Sequence, residues 1–115
     1  MNSKQDIINK ILELGNSGQE ALEYAIASIE KENTSKTLEV LTGAIEAFST
    51  IEEALPLILE PDDNYLFLER QVKAAFEHLV ECCENKTDDE ILHTLQSNVF
   101  PSYMEWLEYL KDKLV

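Results

Sequence analysis

Apolar residues recur every three or four positions along almost the whole chain, which is the spacing of one face of an α-helix. In the first segment this face stays in phase across two glycines; its positions are Ile8, Ile11, Gly15, Gly18, Leu22, Ala25 and Ile29. A loop would usually reset the phase, so the pattern predicts one helix from about Lys4 to Lys31, straight or bent. A break is the competing interpretation, because Ser17 and Glu20 form a capping box that would start a new helix.

A second helix is predicted after the turn at 32–37, where Thr34 or Ser35 is the expected N-cap. Its apolar face consists of Leu38, Leu41, Ile45, Phe48 and Leu55. Proline lacks the amide hydrogen of a helix interior and clashes with the preceding turn, so Pro56 should kink or end this helix.

The segment 60–64 predicts the next connection, with Asp62 or Asp63 capping a third helix from about Asn64 to Cys83. A fourth helix follows the segment 85–90. Its start is indicated by the capping box of Thr87 and Glu90. Pro101 interrupts the pattern of the fourth helix, which therefore kinks or splits there.

Four amphipathic helices with short connections predict an all-α fold, an antiparallel up-down four-helix bundle. A chain of 115 residues fits a single domain over 1–115. In such a bundle the middles of the helices share one layer, here at the level of the two glycines. Because cores pair large with small residues, we expect one or two rings of Phe48, Phe76 and Phe100 to fill the glycine gap.

The formal charge of -14 is spread along the chain, with no cluster of Lys and Arg. Nucleic acids and anionic membrane surfaces bind through such clusters, so neither is an expected partner. The first residues lack the apolar run of a signal peptide, and no apolar run approaches the roughly 20 residues of a membrane span. We therefore expect a cytoplasmic protein in which Cys82 and Cys83 are reduced.

Catalytic and metal-binding patterns are sparse. Di-metal bundles need two Glu-x-x-His pairs, and only Glu90 with His93 fits. His78 and Cys82 share a helix face, but two ligands do not make a zinc site; a partly buried His78 and a core Cys82 is the favoured interpretation. No phosphate loop or nucleophile elbow is present in the sequence. We expect no enzyme activity, no cofactor and no bound metal.

Glu52 falls on the apolar face of the second helix, where a carboxylate is costly unless it is paired. In one interpretation the face drifts, so that Ile51 points inward and Glu52 outward. In the other, Glu52 makes a polar contact at a groove or at an oligomer surface.

The C-terminal segment carries four aromatic residues that we predict to form a partner-binding face: Phe100, Tyr103, Trp106 and Tyr109. Trp and Tyr are favoured anchors in interfaces. A kink at Pro101 would open a groove for an amphipathic helix there. The competing interpretation is that Tyr103 and Trp106 belong to the core, because both lie on the apolar face.

Two stretches, GAIEAFSTIEEAL at 43–55 and FPSYMEWL at 100–107, resemble an uncharacterised family of short acidic helical proteins from Gram-positive bacteria. In size and helix count the chain is also similar to the flagellar export chaperones, which hold a secreted subunit in a groove. The second resemblance is one of architecture and assigns no residue a role.

The sequence thus predicts a non-enzymatic protein-interaction module, an adaptor or chaperone-like bundle that binds a basic or amphipathic segment of a protein partner. Two alternatives stay open. One is a bundle that binds a metal or a small ligand, and the other is a self-associating structural protein, for example a homodimer.

Overall fold

The computed structural model describes residues 3–32, 34–85 and 87–115, and over these ranges it contains helices and turns but no strand. The elements are α1 (Ser3–Glu30), α2 (Thr37–Ala54), a 3₁₀ turn (Leu55–Leu57), α3 (Asp63–Asn85), α4 (Asp88–Thr94), a π-helical turn (Leu95–Val99) and α5 (Phe100–Leu114). They pack around one core, so the predicted all-α bundle is confirmed. The connections at 32–37 and 85–90 include Asn33 and Lys86, which lie outside the described residues.

The first helix is continuous through both glycines, as the phase of the apolar pattern predicted. Gly15 and Gly18 lie on its buried face, together with Ile11, Leu22, Ala25, Ser28 and Ile29. The capping box of Ser17 and Glu20 therefore starts no helix. Tertiary packing of this face outweighs the cost of two glycines in a helix interior.

The glycine gap is filled from α5, and the expectation that phenylalanine rings fill it is wrong. A methyl group at Gly18 would collide with the hydroxyl of Tyr103, and one at Gly15 would lie 2.5 Å from Leu107 Cδ1. The Tyr103 hydroxyl donates a hydrogen bond of 2.8 Å to the carbonyl of Gly15. A phenol fits here because its polar end finds an acceptor on the bare backbone, which a phenylalanine would leave unused.

Phe48 and Phe76 are buried between other helices. Phe48 and Phe76 pack on each other with ring centroids 5.7 Å apart. The ring centroid of Trp106 lies 4.8 Å from that of Phe48 and 5.2 Å from that of Tyr103. One aromatic layer therefore joins α2, α3 and α5, and Phe100 is half-buried at its edge.

The helix ends follow local signals except at the start of α2. Pro56 ends α2 in the 3₁₀ turn, and Asp62 caps α3 by accepting a hydrogen bond of 2.8 Å from the Tyr65 amide. The expected cap by Thr34 or Ser35 is wrong, because Lys36 occupies the N-cap position without a side-chain bond to the helix. In this turn the Thr37 amide donates a hydrogen bond to the Thr34 carbonyl. The helix therefore starts after both of the residues that were predicted to cap it.

The fourth helix begins at the predicted cap, where Thr87 accepts a hydrogen bond from the Glu90 amide. It does not split at Pro101. The helix instead widens just before the proline, so that the Phe100 amide donates to the Leu95 carbonyl five residues back. This π-helical turn removes the clash that Pro101 would make in a regular helix and lets the chain continue into α5.

Candidate protein-interaction groove

A groove runs between α2 and α3. α1 packs most extensively on α2, and α3 packs most extensively on α5. α2 and α3 meet mainly through side chains, with the Phe48 and Phe76 rings between them. Two hollows lie between these two segments of the chain.

One end of this α2–α3 groove is an apolar hollow of about 250 Å³, here called the Leu41 hollow; it is lined by Leu38, Leu41, Ile45, Leu79, Val80 and Cys83. Two aliphatic side chains stand at its mouth in contact with solvent. Leu38 is 63% exposed and Val80 is 45% exposed. A protein partner that covers them would gain free energy from their burial.

The other end is a second hollow of about 260 Å³, here called the Leu66 hollow; it is lined by Glu52, Leu55, Leu59, Tyr65, Leu66 and Glu69. It lies where α2 passes through the 3₁₀ turn toward the start of α3. The hollow combines an apolar floor with two carboxylates at its edge.

An ion pair separates the two hollows, here called the Lys73 bridge. The Lys73 ammonium lies 2.8 Å from Glu52 Oε2, across the groove, and 3.8 Å from Glu69 Oε1 on its own helix. The side chain of Lys73 is 50% exposed, whereas those of Glu52 and Glu69 are 19% and 18% exposed. Two half-buried carboxylates therefore share one solvated ammonium.

The pKa directions of the bridge differ between its partners. The hydrogen bond to Glu52 raises the pKa of Lys73. Burial raises the pKa of Glu52 as well, and the hydrogen bond to Lys73 opposes this rise without cancelling it. Burial thus has the largest effect on the pKa of Glu52, whereas the ion pair has the largest effect on the pKa of the exposed Lys73. The raised pKa of Glu52 therefore reflects the environment inside the groove.

Glu52 combines both interpretations of its position on the helix. Ile51 is fully buried and Glu52 is displaced from the core, as expected for a drifting apolar face. The carboxylate also makes a polar contact in a groove, which was the second interpretation. The sequence carried this signal as a carboxylate on an apolar helix face, but it carried no sign that Lys73 would be its partner.

The C-terminal aromatic residues, predicted to bind a partner, have unequal access to solvent. Tyr103 and Trp106 are fully buried, and Trp106 Nε1 donates to the Tyr65 hydroxyl at 3.5 Å. Both belong to the core, which was the competing interpretation. Phe100 and Tyr109 are half-buried and keep an accessible edge.

Tyr109 contacts the segment that connects α2 and α3. Its hydroxyl lies 2.7 Å from both carboxylate oxygens of Asp62, and burial together with this hydrogen bond raises the pKa of Tyr109 to about 12. Hydrogen bonds from the Tyr65 amide and from the Tyr109 hydroxyl lower the pKa of Asp62. Tyr109 thus fastens α5 to the start of α3, which is a structural role.

The polar pair on α3 differs from the prediction at one residue. Cys82 is buried as predicted, with Sγ 3.5 Å from Thr94 Oγ1 and 3.7 Å from His78 Nε2. His78 is exposed, so the prediction of a partly buried histidine is wrong. Glu90 and His93 are exposed on α4. Within the described ranges, no group of three or more His, Cys, Asp and Glu side chains is arranged to hold a metal ion.

A larger hollow of about 670 Å³ lies between α1 and α2, lined by Gly18, Ala21, Tyr24, Val40, Gly43 and Ala47. Half of its lining residues are small, and Tyr24, 51% exposed, is its one large aromatic side chain. The charged residues of its lining, Glu20, Lys36 and Glu39, are all exposed to solvent. No half-buried ion pair crosses it among the described residues. The α2–α3 groove is the stronger candidate, because it combines aliphatic anchoring surface with charge that is partly removed from water.

The sequence pattern does not indicate this groove. It predicts Leu38 on the buried face of the second helix and gives Val80 no role. Both lie at the mouth of the Leu41 hollow because α2 and α3 are held apart by the rings of Phe48 and Phe76. That separation depends on contacts between distant segments, which a helical period does not encode.

Comparison with known proteins places most of the chain in one family. The family model described as "Domain of unknown function (DUF8042)" matches residues 6–109. No curated protein and no solved structure matches the chain. Over the described residues, no helix is both long enough and apolar enough to cross a membrane.

Proposed function

We propose that this chain, which belongs to the DUF8042 family of unknown function, is a non-enzymatic protein-interaction module. Its α2–α3 groove binds a basic amphipathic helix of another protein. The observation that carries this proposal is the combination found in the groove. Two apolar hollows flank carboxylates that are only 19% and 18% exposed. An amphipathic helix offers apolar side chains for the hollows and cationic side chains for the carboxylates.

Charge supports a basic partner rather than a second copy of the chain. Each copy carries a formal charge of -14, so two copies repel each other, whereas a cationic segment is attracted. The exposed Leu38 and Val80 supply apolar contact, and the acidic surroundings supply orientation and selectivity.

The same proposal accommodates the sequence resemblances. A small acidic bundle with a groove suits an adaptor or a chaperone, as the architectural likeness to flagellar export chaperones implies. A cytoplasmic location in a Gram-positive bacterium fits the same resemblances. Of the partner-binding face that the sequence predicts on α5, Phe100 and Tyr109 are half-buried and would offer a second surface to such a partner.

The test uses a designed helical peptide of Leu and Lys with all Leu on one face, compared with a peptide of the same composition in scrambled order. Isothermal titration calorimetry should show binding of the amphipathic peptide and little binding of the scrambled one. Added salt should weaken the binding, because part of it is electrostatic. Equal binding of both peptides would show charge attraction without a groove and would refute the proposal.

The groove is located by paired substitutions that leave the charge unchanged. Leu38→Gln with Val80→Gln removes the apolar mouth and should weaken binding by about tenfold or more, since each buried side chain contributes about 1 kcal/mol. Phe67→Gln is the matched control, because Phe67 is 60% exposed on α3 and does not line either hollow. If the control weakens binding as much as the groove variant, the site lies elsewhere. Light scattering tests the alternative of a self-associating protein.

A further inference from the structure

The Lys73 bridge closes the α2–α3 groove in its present form. Lys73 starts on α3 and reaches Glu52 on α2 at 2.8 Å. Its aliphatic stem therefore spans the groove between the Leu41 hollow and the Leu66 hollow. A helix that fills both hollows at once has to displace this side chain.

The Lys73 bridge contains two carboxylates but only one ammonium, so the negative charge is not fully balanced. Glu52 and Glu69 converge on the same ammonium, at 2.8 and 3.8 Å, and each is mostly removed from water. The charge of Glu69 adds to the effect of burial in raising the pKa of Glu52. Lys73 is half exposed, so its movement into solvent costs little, and another cation at this point would restore the lost pairing.

We propose that Lys73 occupies the place of a basic side chain of the partner. On docking, a Lys or Arg side chain of the partner helix binds Glu52 and Glu69, and the Lys73 ammonium moves out into solvent. This inference rests on the proposed function of the groove. It makes Lys73 an internal competitor that lowers affinity for helices without a matching cation, which is a means of selecting partners.

The spacing of the groove specifies the partner further. Leu66 and Val80 mark the two hollows on α3 and lie about 21 Å apart along its axis, or about four turns, at 1.5 Å per residue. Glu69 lies about one turn from Leu66 in the direction of Val80. The fitting helix carries apolar anchors about four turns apart, with a Lys or Arg about one turn inward from one anchor.

The experiment compares two designed peptides that differ at one position. Both carry Leu anchors four turns apart; the Lys peptide has lysine one turn inward from one anchor, and the Gln peptide has glutamine there. The wild-type protein should bind the Lys peptide about twofold to fivefold more tightly, the range that a solvent-accessible ion pair gives. Glu52→Gln should reduce this preference toward one.

Lys73→Gln tests the competition directly. It should raise the affinity for the Lys peptide by about threefold or more, because the carboxylates are then free. Arg70→Gln is the matched control, since Arg70 is exposed on the same helix and its loss changes the net charge equally. An increase in Lys73→Gln no larger than that in Arg70→Gln overturns the inference, as does a preference for lysine that survives in Glu52→Gln.

The outcomes separate the inference from the proposed function. If wild-type protein binds both peptides equally, and the Leu38→Gln with Val80→Gln variant weakens both, the groove stands and the role of Lys73 is refuted. If neither peptide binds, both proposals fall. Thermal unfolding of each variant confirms that the compared proteins are folded.

Discussion

Substitution of Gly18 by alanine probes how α1 and α5 pack. In an exposed helix interior this change stabilises by about 1 kcal/mol, because alanine is the better helix former. At Gly18 the new methyl group would collide with the hydroxyl of Tyr103 and lie 2.8 Å from its ring carbon Cζ. The ring cannot turn away easily, because it is fully buried between Phe76 and Trp106.

The magnitude follows from the two contacts that are lost or strained. Overpacking of a buried ring costs about 1–3 kcal/mol. Displacement of the Tyr103 hydroxyl from the Gly15 carbonyl leaves a buried polar group unpaired, which costs about 1–3 kcal/mol more. After the gain in helix propensity, we expect Gly18→Ala to lower the free energy of unfolding by about 3 kcal/mol, within a range of about 1–5 kcal/mol, and Tm by about 12 °C.

The other two glycines are internal controls for this prediction. A methyl group at Gly15 would meet only the flexible end of Leu107, at 2.5 Å, with other atoms at 3.8 Å or more; we expect a change within about 1 kcal/mol of zero. At Gly43 nothing lies within 4 Å, so Gly43→Ala should stabilise by about 0.5–1 kcal/mol. Urea unfolding of all three variants, followed by circular dichroism, gives the order.

Tyr103→Phe completes the test as a double-mutant cycle. If the hydroxyl is the obstacle, Gly18→Ala should cost less in the Tyr103→Phe background than in wild type, with a coupling of about 1 kcal/mol. A Gly18→Ala variant as stable as Gly43→Ala would refute the packing described for α1 and α5.

Further predictions concern the caps and the titrating groups. Asp62→Ala should lower Tm at pH 7. The Tyr65 amide and Tyr109 lower the folded pKa of Asp62, so the stability that this carboxylate contributes is present above its unfolded pKa of about 3.9 and is lost as pH falls. The dependence of Tm on acid pH should therefore be flatter in the variant than in wild type. For Glu52, burial raises the folded pKa above the ordinary value of 4.5. The stability linked to its protonation is therefore present below pH 4.5 and is lost as pH rises through the folded pKa. Glu52→Gln should flatten the Tm profile above pH 4.5, and an unchanged profile would contradict this. Thr87→Ala removes the cap of α4 and should cost about 1 kcal/mol in urea unfolding, whereas an unchanged midpoint would mean that the cap is not formed. Tyr109→Phe should remove one tyrosine that ionises near pH 12 from an alkaline absorbance titration.

The groove also shows which part of a candidate site a single sequence can indicate. Glu52 was conspicuous, because a carboxylate on an apolar helix face needs a partner. Trp106 and Tyr103 were conspicuous for their residue types, yet both are fully buried. Residue type alone does not separate an anchor for a partner from an anchor of the core, because large aromatic side chains serve both.

The helices and most of their ends were determined by the sequence itself. The phase of the apolar pattern carried α1 through Gly15 and Gly18, Pro56 ended α2, and Asp62 and Thr87 capped the helices that follow them. The proline and the two caps act on neighbours within one or two turns, so their physical cause is present in the local sequence. The apolar period of α1 is also visible in the sequence, although packing of its buried face is what offsets the cost of the two glycines.

Only the tertiary structure decided what meets across the bundle. It selected Tyr103 rather than a phenylalanine for the glycine gap and placed Lys73 opposite Glu52. Each outcome depends on how far one helix is rotated and shifted against another, and helical periodicity leaves that rotation and shift undetermined.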